Sequence, residues 1–213
     1  MQFTADHVWA LAVIADRINE GYVKEAVWGY SDAGESKLLK EANKVMVKKW
    51  LRENTVTPTE ADIEQGRTVR HYFNGFLLKE LSGKINDFER QALKIAQMDE
   101  FTGRNMLEFA IISCLPNTMR NDQKRNDTAR AIRESTQLVG AVGDVVQGEF
   151  EVIRCYYNQN YNKYRITAKL VDSFVDFWYN KNMEQGALVK LKGKIKSVRS
   201  DNTTQLNYVK QVG

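Results

Sequence analysis

Val189-Lys-Leu-Lys-Gly-Lys-Ile-Lys196 alternates without a break: Val189, Leu191 and Ile195 are apolar with Gly193 among them, and Lys190, Lys192, Lys194 and Lys196 are all lysine. Successive side chains of a strand point to opposite faces. The stretch therefore predicts a strand with one face in a core and four ammonium groups in a row on the other. Residues two apart along it are separated by roughly 6.6 Å, of the order of the phosphate spacing of an extended single strand. Such a row tracks a nucleic-acid backbone without reading its sequence, gaining affinity from counterion release. It equally reads as a solvated face, or as lysines guarding a sheet edge from aggregation.

The period of two continues on both sides of this stretch. Strands are predicted at about 145–157, 161–171, 173–180, 187–199 and 203–212. Turn chemistry separates them: Asn158-Gln-Asn160, Asp172-Ser173, Glu184-Gln-Gly186 and Ser200-Asp-Asn202. Five short strands in under 80 residues with no long helix fit a small closed barrel of the five-stranded OB type, with an open meander packed on helices as the alternative. In the second strand Lys163, Arg165, Thr167 and Lys169 share one face, and Tyr164, Ile166, Ala168 and Leu170 the other. Arg154 and Arg199 are further cations. Tyr156, Tyr157, Tyr161 and Tyr164 crowd the first turn. Phe174, Val175, Phe177, Trp178 and Tyr179 make the third strand apolar on both faces, so one face fills the barrel while the other packs on helices or offers Trp178 to a ligand. Bases stack on such rings; core packing is the competing role for each.

Upstream of residue 136 the apolar period is helical. Val8, Leu11, Ala12, Ala15 and Ile18 form one stripe, with Asp6 as cap and Gly21 as stop. Further helices are expected over Leu38–Leu51 and Ile63–Leu81, the latter started by Thr59 with Val69, Phe73, Phe76, Leu77 and Leu81 inward. Asn86 or Asp87 caps another helix through Met98. A helix from Asn105 to Cys114 is stopped by Pro116, and a last polar one runs from about Asn117 to Glu134. The expected organisation is α+β: an all-helical domain over residues 1–135 and the barrel over 136–213.

Charge follows this division. Of 31 basic and 27 acidic residues, residues 1–135 hold 20 of each, so the whole excess of +4 falls on the barrel. The barrel also carries 10 of the 22 aromatic residues. Cys114 and Cys155 cannot build a disulfide framework and read as packing, and His7 and His71 stand far apart. No catalytic triad, zincin motif, GxxxxGK[ST] or GxGxxG is present. Acidic pairs such as Asp99-Glu100 and Asp62/Glu64 gain no third ligand in sequence, so no catalytic residue, metal or cofactor is expected. The first 21 residues lack a basic leader and a membrane-length apolar run. An intracellular, cytoplasmic protein without membrane contact is the expectation.

Ser135-Thr-Gln-Leu-Val-Gly-Ala-Val-Gly-Asp144, the paired strands, Gly186-Ala-Leu-Val-Lys-Leu-Lys-Gly-Lys-Ile-Lys196 and Thr204-Gln-Leu-Asn-Tyr-Val209 together resemble a C-terminal module of many tailed-bacteriophage proteins. Its recurring form is VGxxGD, an OB-like barrel, GxxVxLxGx[IV]K and a last strand with TxL. Gly66-Arg-Thr-Val-Arg-His-Tyr-Phe-Asn-Gly75 through Asn86-Asp-Phe88 is similar to the front part of such proteins. The resemblance implies a replication- or recombination-region protein that binds single-stranded DNA in the host cytoplasm. The end of the chain, Tyr208 to Gly213, lacks the acidic tail of bacterial single-strand-binding proteins, so tail-mediated recruitment is not expected.

The leading expectation is therefore a non-enzymatic single-stranded nucleic-acid-binding protein. Lys190, Lys192, Lys194 and Lys196 hold phosphates, Arg154, Arg165 and Lys169 extend the track, and Tyr157, Tyr161, Tyr164 and Trp178 stack bases. The alternatives are an adaptor or inhibitor that docks on a host or phage enzyme, and a nucleic-acid enzyme with an accessory barrel.

Overall fold

The computed structural model describes residues 2–138 and 140–212. Val139, the first residue of the VGxxGD stretch, lies outside the described residues. The chain forms two compact units, one ending at Gln123 and one beginning at Lys124.

The first unit is helical with two small antiparallel pairs, not all-helical. It contains β1 (Phe3–Thr4), α1 (Ala5–Ile18), β2 (Val27–Tyr30), β3 (Ser36–Lys40), α2 (Asn43–Glu53), α3 (Glu60–Asn74), α4 (Leu77–Leu81), α5 (Asp87–Ala96), β4 (Glu100–Phe101) and the start of α6 (Met106–Glu134). β1 pairs with β4, and β2 with β3. α1 is the hub. Every residue from Val8 to Asp16 is buried, so the helix is apolar on all sides rather than along one stripe, while Ile18 is exposed. Its buried Asp16 accepts from the Arg120 guanidinium of α6. Thr4, not Asp6, occupies the cap position; Asp6 instead accepts from Arg67 at 2.6 Å. α3 crosses α1 at Gly66, where a Cβ would stand 2.9 Å from the Ala10 nitrogen.

Three helix expectations are corrected. The predicted helix over Leu38–Leu51 begins only at Asn43. Val27-Trp-Gly-Tyr30 favours extended backbone and folds back through Gly34 (φ +77°), which draws Ser36–Lys40 into a hairpin. The buried Asn43 side chain accepts from the Val23 amide at 2.9 Å and donates to the Gly21 carbonyl at 3.1 Å, fixing where the helix starts. The predicted Ile63–Leu81 helix breaks at Gly75 into α3 and α4. Val69, Phe73 and Phe76 are buried, whereas Leu77 and Leu81 are exposed. Pro116 does not stop a helix: α6 runs through it. An interior proline loses one backbone bond, but Phe109, Ile112, Leu115 and Met119 keep one buried stripe across it. Thr59/Asp62 and Asn86/Glu89 both form the reciprocal caps that open α3 and α5.

The second unit is a closed barrel of β5 (Val145–Asn158), β6 (Lys163–Leu170), β7 (Ser173–Tyr179), β8 (Leu188–Val198) and β9 (Thr204–Gln211), in the order β5-β6-β7-β9-β8. An open meander is excluded by the β5–β8 pairing. β5 pairs with β8 through Val145–Glu151 and with β6 through Glu151–Asn158. Phe150, Val152, Ile166, Val175, Phe177, Leu191, Ile195 and Leu206 fill the interior. The Gly140–Asp144 turn packs on β8: the Gly143 amide donates to the Ile195 carbonyl at 2.8 Å, and the Asp144 carboxylate accepts from the Ala141 amide at 2.8 Å. Gly140 (φ +155°) leaves no room for a side chain, since a Cβ there would meet Ile195 Cδ1 at 2.6 Å. The end of α6 is tied to the barrel by the Asn202 side-chain amide, which donates to the Arg133 and Ser135 carbonyls at 3.3 and 3.4 Å. No helix among the described residues is long and apolar enough to cross a membrane.

Candidate functional site

β8 adopts the alternation its sequence predicts. Leu191, Gly193 and Ile195 are buried, and Lys190, Lys192, Lys194 and Lys196 are exposed. The neighbouring strands define what surrounds them. Lys190 lies opposite Glu149 of β5, Lys192 opposite Gln147 and Lys194 opposite Val145. On the other side Lys192 is directly opposite Lys210 of β9, and Lys194 opposite Asn207. Like charges directly opposed in a sheet are destabilising. Among the described residues none of these five lysines forms an ion pair.

The other predicted cations sit on a different part of the barrel. The irregularity between Val152 and Arg154 leaves Ile153 unpaired and puts Arg154 opposite Thr167 on the outer face. The same shift puts Tyr156 opposite Arg165, which is itself opposite Trp178. The outer row across β5, β6 and β7 is thus Tyr156, Arg165 and Trp178. Tyr161 packs on Trp178 with ring centroids 5.0 Å apart while remaining 66% exposed. Tyr157 and Tyr164 lie one position on, opposite each other with centroids 5.2 Å apart, and line the inner face with Tyr179. Tyr164 and Tyr179 pack against the barrel core.

Arg165 is not a free cation. Its Nε and Nη2 donate to the Asp176 carboxylate at 2.8–3.1 Å, and Nη1 donates to the Tyr156 hydroxyl at 3.1 Å. Arg199 reaches the same carboxylate at 2.7 Å. Asp176 is only 3% exposed, so two part-exposed guanidinium groups clamp one buried carboxylate. The hydrogen bonds to Asp176 outweigh burial and raise the Arg165 pKa further above its ordinary value. Lys169 stands 3.9 Å from Asp172.

The predicted residues therefore form two groups. The lysine row occupies β8, and Arg154, Arg165, Tyr161 and Trp178 gather on the outer side of β6 and β7 and the end of β5. β5 separates them, carrying outward Glu149 and Glu151. Arg199, just beyond β8, links the row to β7 through Asp176. Lys210 and Asp176 carry no sequence signal of their own, because only the strand register shows what each faces. Among the described residues no three His, Cys, Asp or Glu side chains converge as a metal-ligand group. Comparison with protein-family models, curated proteins and solved structures finds no match to this chain.

Proposed function

We propose that this chain is a non-enzymatic protein that binds single-stranded nucleic acid, DNA foremost, in the replication or recombination of a tailed phage within the host cytoplasm. A small closed barrel with a crossed-over strand order fits the OB architecture, in which such barrels carry oligonucleotides. One observation carries the reading: Lys190, Lys192, Lys194, Lys196 and Lys210 stand exposed together, with Lys192 and Lys210 opposed and, among the described residues, no ion pair to relieve them. A polyanion is the partner that turns this repulsion into attraction, by exchanging its condensed counterions for the ammonium groups.

Fluorescence anisotropy with a labelled oligothymidine at two or more salt concentrations tests the proposal. Affinity falls steeply with salt. Replacing Lys190, Lys192, Lys194 and Lys196 with glutamine lowers the slope of log K against log salt by roughly 0.7 for each phosphate contact removed. Absence of binding at low salt, or a slope unchanged in the glutamine variant, defeats it.

A further inference from the structure

β9 does not run evenly beside the lysine strand. Lys210 is opposite Lys192 but Asn207 is opposite Lys194, so β9 holds two residues, Tyr208 and Val209, where β8 holds only Gly193. Tyr208 is the residue with left-handed backbone, φ +52°. A bulky non-glycine residue in that region is a true outlier, and bulges of this kind re-aim a side chain. Leu206 and Val209 on either side turn inward to the barrel core. Tyr208 is thrown outward and is 77% exposed. Gly193, on the inward face of the lysine strand, lies close under the bulge: a Cβ there would stand 3.1 Å from Val209 Cγ2 and 3.4 Å from the Asn207 carbonyl oxygen.

Among the described residues the Tyr208 hydroxyl has no hydrogen-bond partner and its ring no aromatic neighbour. Its chain neighbours on the outer face are Asn207, opposite Lys194, and Lys210, opposite Lys192. An unused ring is therefore held beside the most crowded part of the cationic row. This differs from Tyr161 and Trp178, which already pack on each other.

We infer that Tyr208 is the base-stacking residue of the lysine face, so that β8 and β9 by themselves form a complete site for single strands: lysines for phosphates, one ring for a base. The inference rests on the nucleic-acid reading above. It makes the ligand a strand with unpaired, accessible bases, since a duplex keeps its base faces stacked within the helix.

The test compares a labelled oligothymidine of about fifteen nucleotides with an abasic oligonucleotide of equal length, using wild type, Tyr208→Asn and Tyr208→Phe. Asparagine tolerates the left-handed backbone and removes the ring, and unchanged thermal melting verifies the fold. Tyr208→Asn weakens binding of the base-bearing strand about tenfold, up to about a hundredfold. It leaves abasic binding and the salt slope unchanged, and Tyr208→Phe restores the affinity. If Tyr208→Asn leaves oligothymidine binding intact, or weakens both strands equally, Tyr208 does not stack and the inference is overturned while the lysine reading stands. If wild type binds neither strand, the underlying reading falls as well.

Discussion

Asp176 decides what Arg165 and Arg199 are for. A carboxylate this buried needs charged partners, and removing it frees two guanidinium groups that water reaches only in part. Asp176→Ala is expected to destabilise the barrel by about 2–4 kcal/mol, less than a fully buried pair because both arginines remain partly solvated. Urea titration followed by intrinsic fluorescence measures this; a loss under about 0.5 kcal/mol would mean the clamp is ornamental to the fold. The arginines were visible in the sequence as cations on strand faces. Their engagement was not, because Asp176 sits amid Phe174, Val175, Phe177 and Trp178 and nothing in that run says which outward neighbour it meets. The alternation of Val189–Lys196, by contrast, determined its exposure pattern residue by residue, since each side chain there has one obvious side to occupy.

At the scale of elements, reciprocal caps were more legible than long-range pairing. Thr59, and Asn86 or Asp87, were readable as helix starts from their own neighbours, whereas the Asp6 cap was not borne out because Thr4 holds that position. The hairpin of β2 and β3 was not, because Leu38 and Leu39 fit a helical stripe as well as a strand until Trp28 pairs with Leu38 and Tyr30 with Ser36. Pro116 misled for a related reason: the core contacts of α6 hold the helix through a residue that would break it in isolation. The start of α3 also has a pH signature. Burial works to raise the Asp62 carboxyl, but hydrogen bonds from Arg17, the Thr59 hydroxyl and the Thr59 amide hold it below the ordinary aspartate value. A carboxyl depressed in the folded state stabilises fully above its unfolded pKa of about 3.9, and that contribution disappears as pH falls through the lower folded value. Asp62→Asn should therefore lie below wild type in stability at pH 7 and converge on it in acid. Urea melts at pH 7 and pH 3 give the comparison; a gap that does not narrow between them would assign the effect to something other than charge.

For the whole molecule, each unit has its own hydrophobic cluster, one centred on α1 and the other inside the barrel. Charge is also unequal: from Lys124 onward there are 15 basic and 9 acidic side chains, a balance of +6, while the residues before it hold 16 and 18. The change of period near residue 136 points to a separate strand core and puts an excess of +4 after it; the compact units divide earlier, within α6, which the apolar period does not mark. Separate cores predict separate unfolding. Phe150→Ala, which empties a fully buried site in the barrel, should cost about 3–5 kcal/mol and move only one of two calorimetric transitions. A uniform shift of a single transition would show that the units melt together.

The ring formed by β5 to β9 is closed by its least extensive pairing, a parallel contact of Val175 with Thr204 and Asp176 with Gln205. Arg165 from β6 and Arg199 beyond β8 meet Asp176 at that seam, so a cation of the outer row and one from the end of the lysine strand together rivet the circle where it is thinnest. A polyanion drawn to those guanidinium groups would compete with the rivet. On the nucleic-acid reading proposed above, the strand would therefore lie on β8 and β9, whose lysines have no ion pair to give up among the described residues.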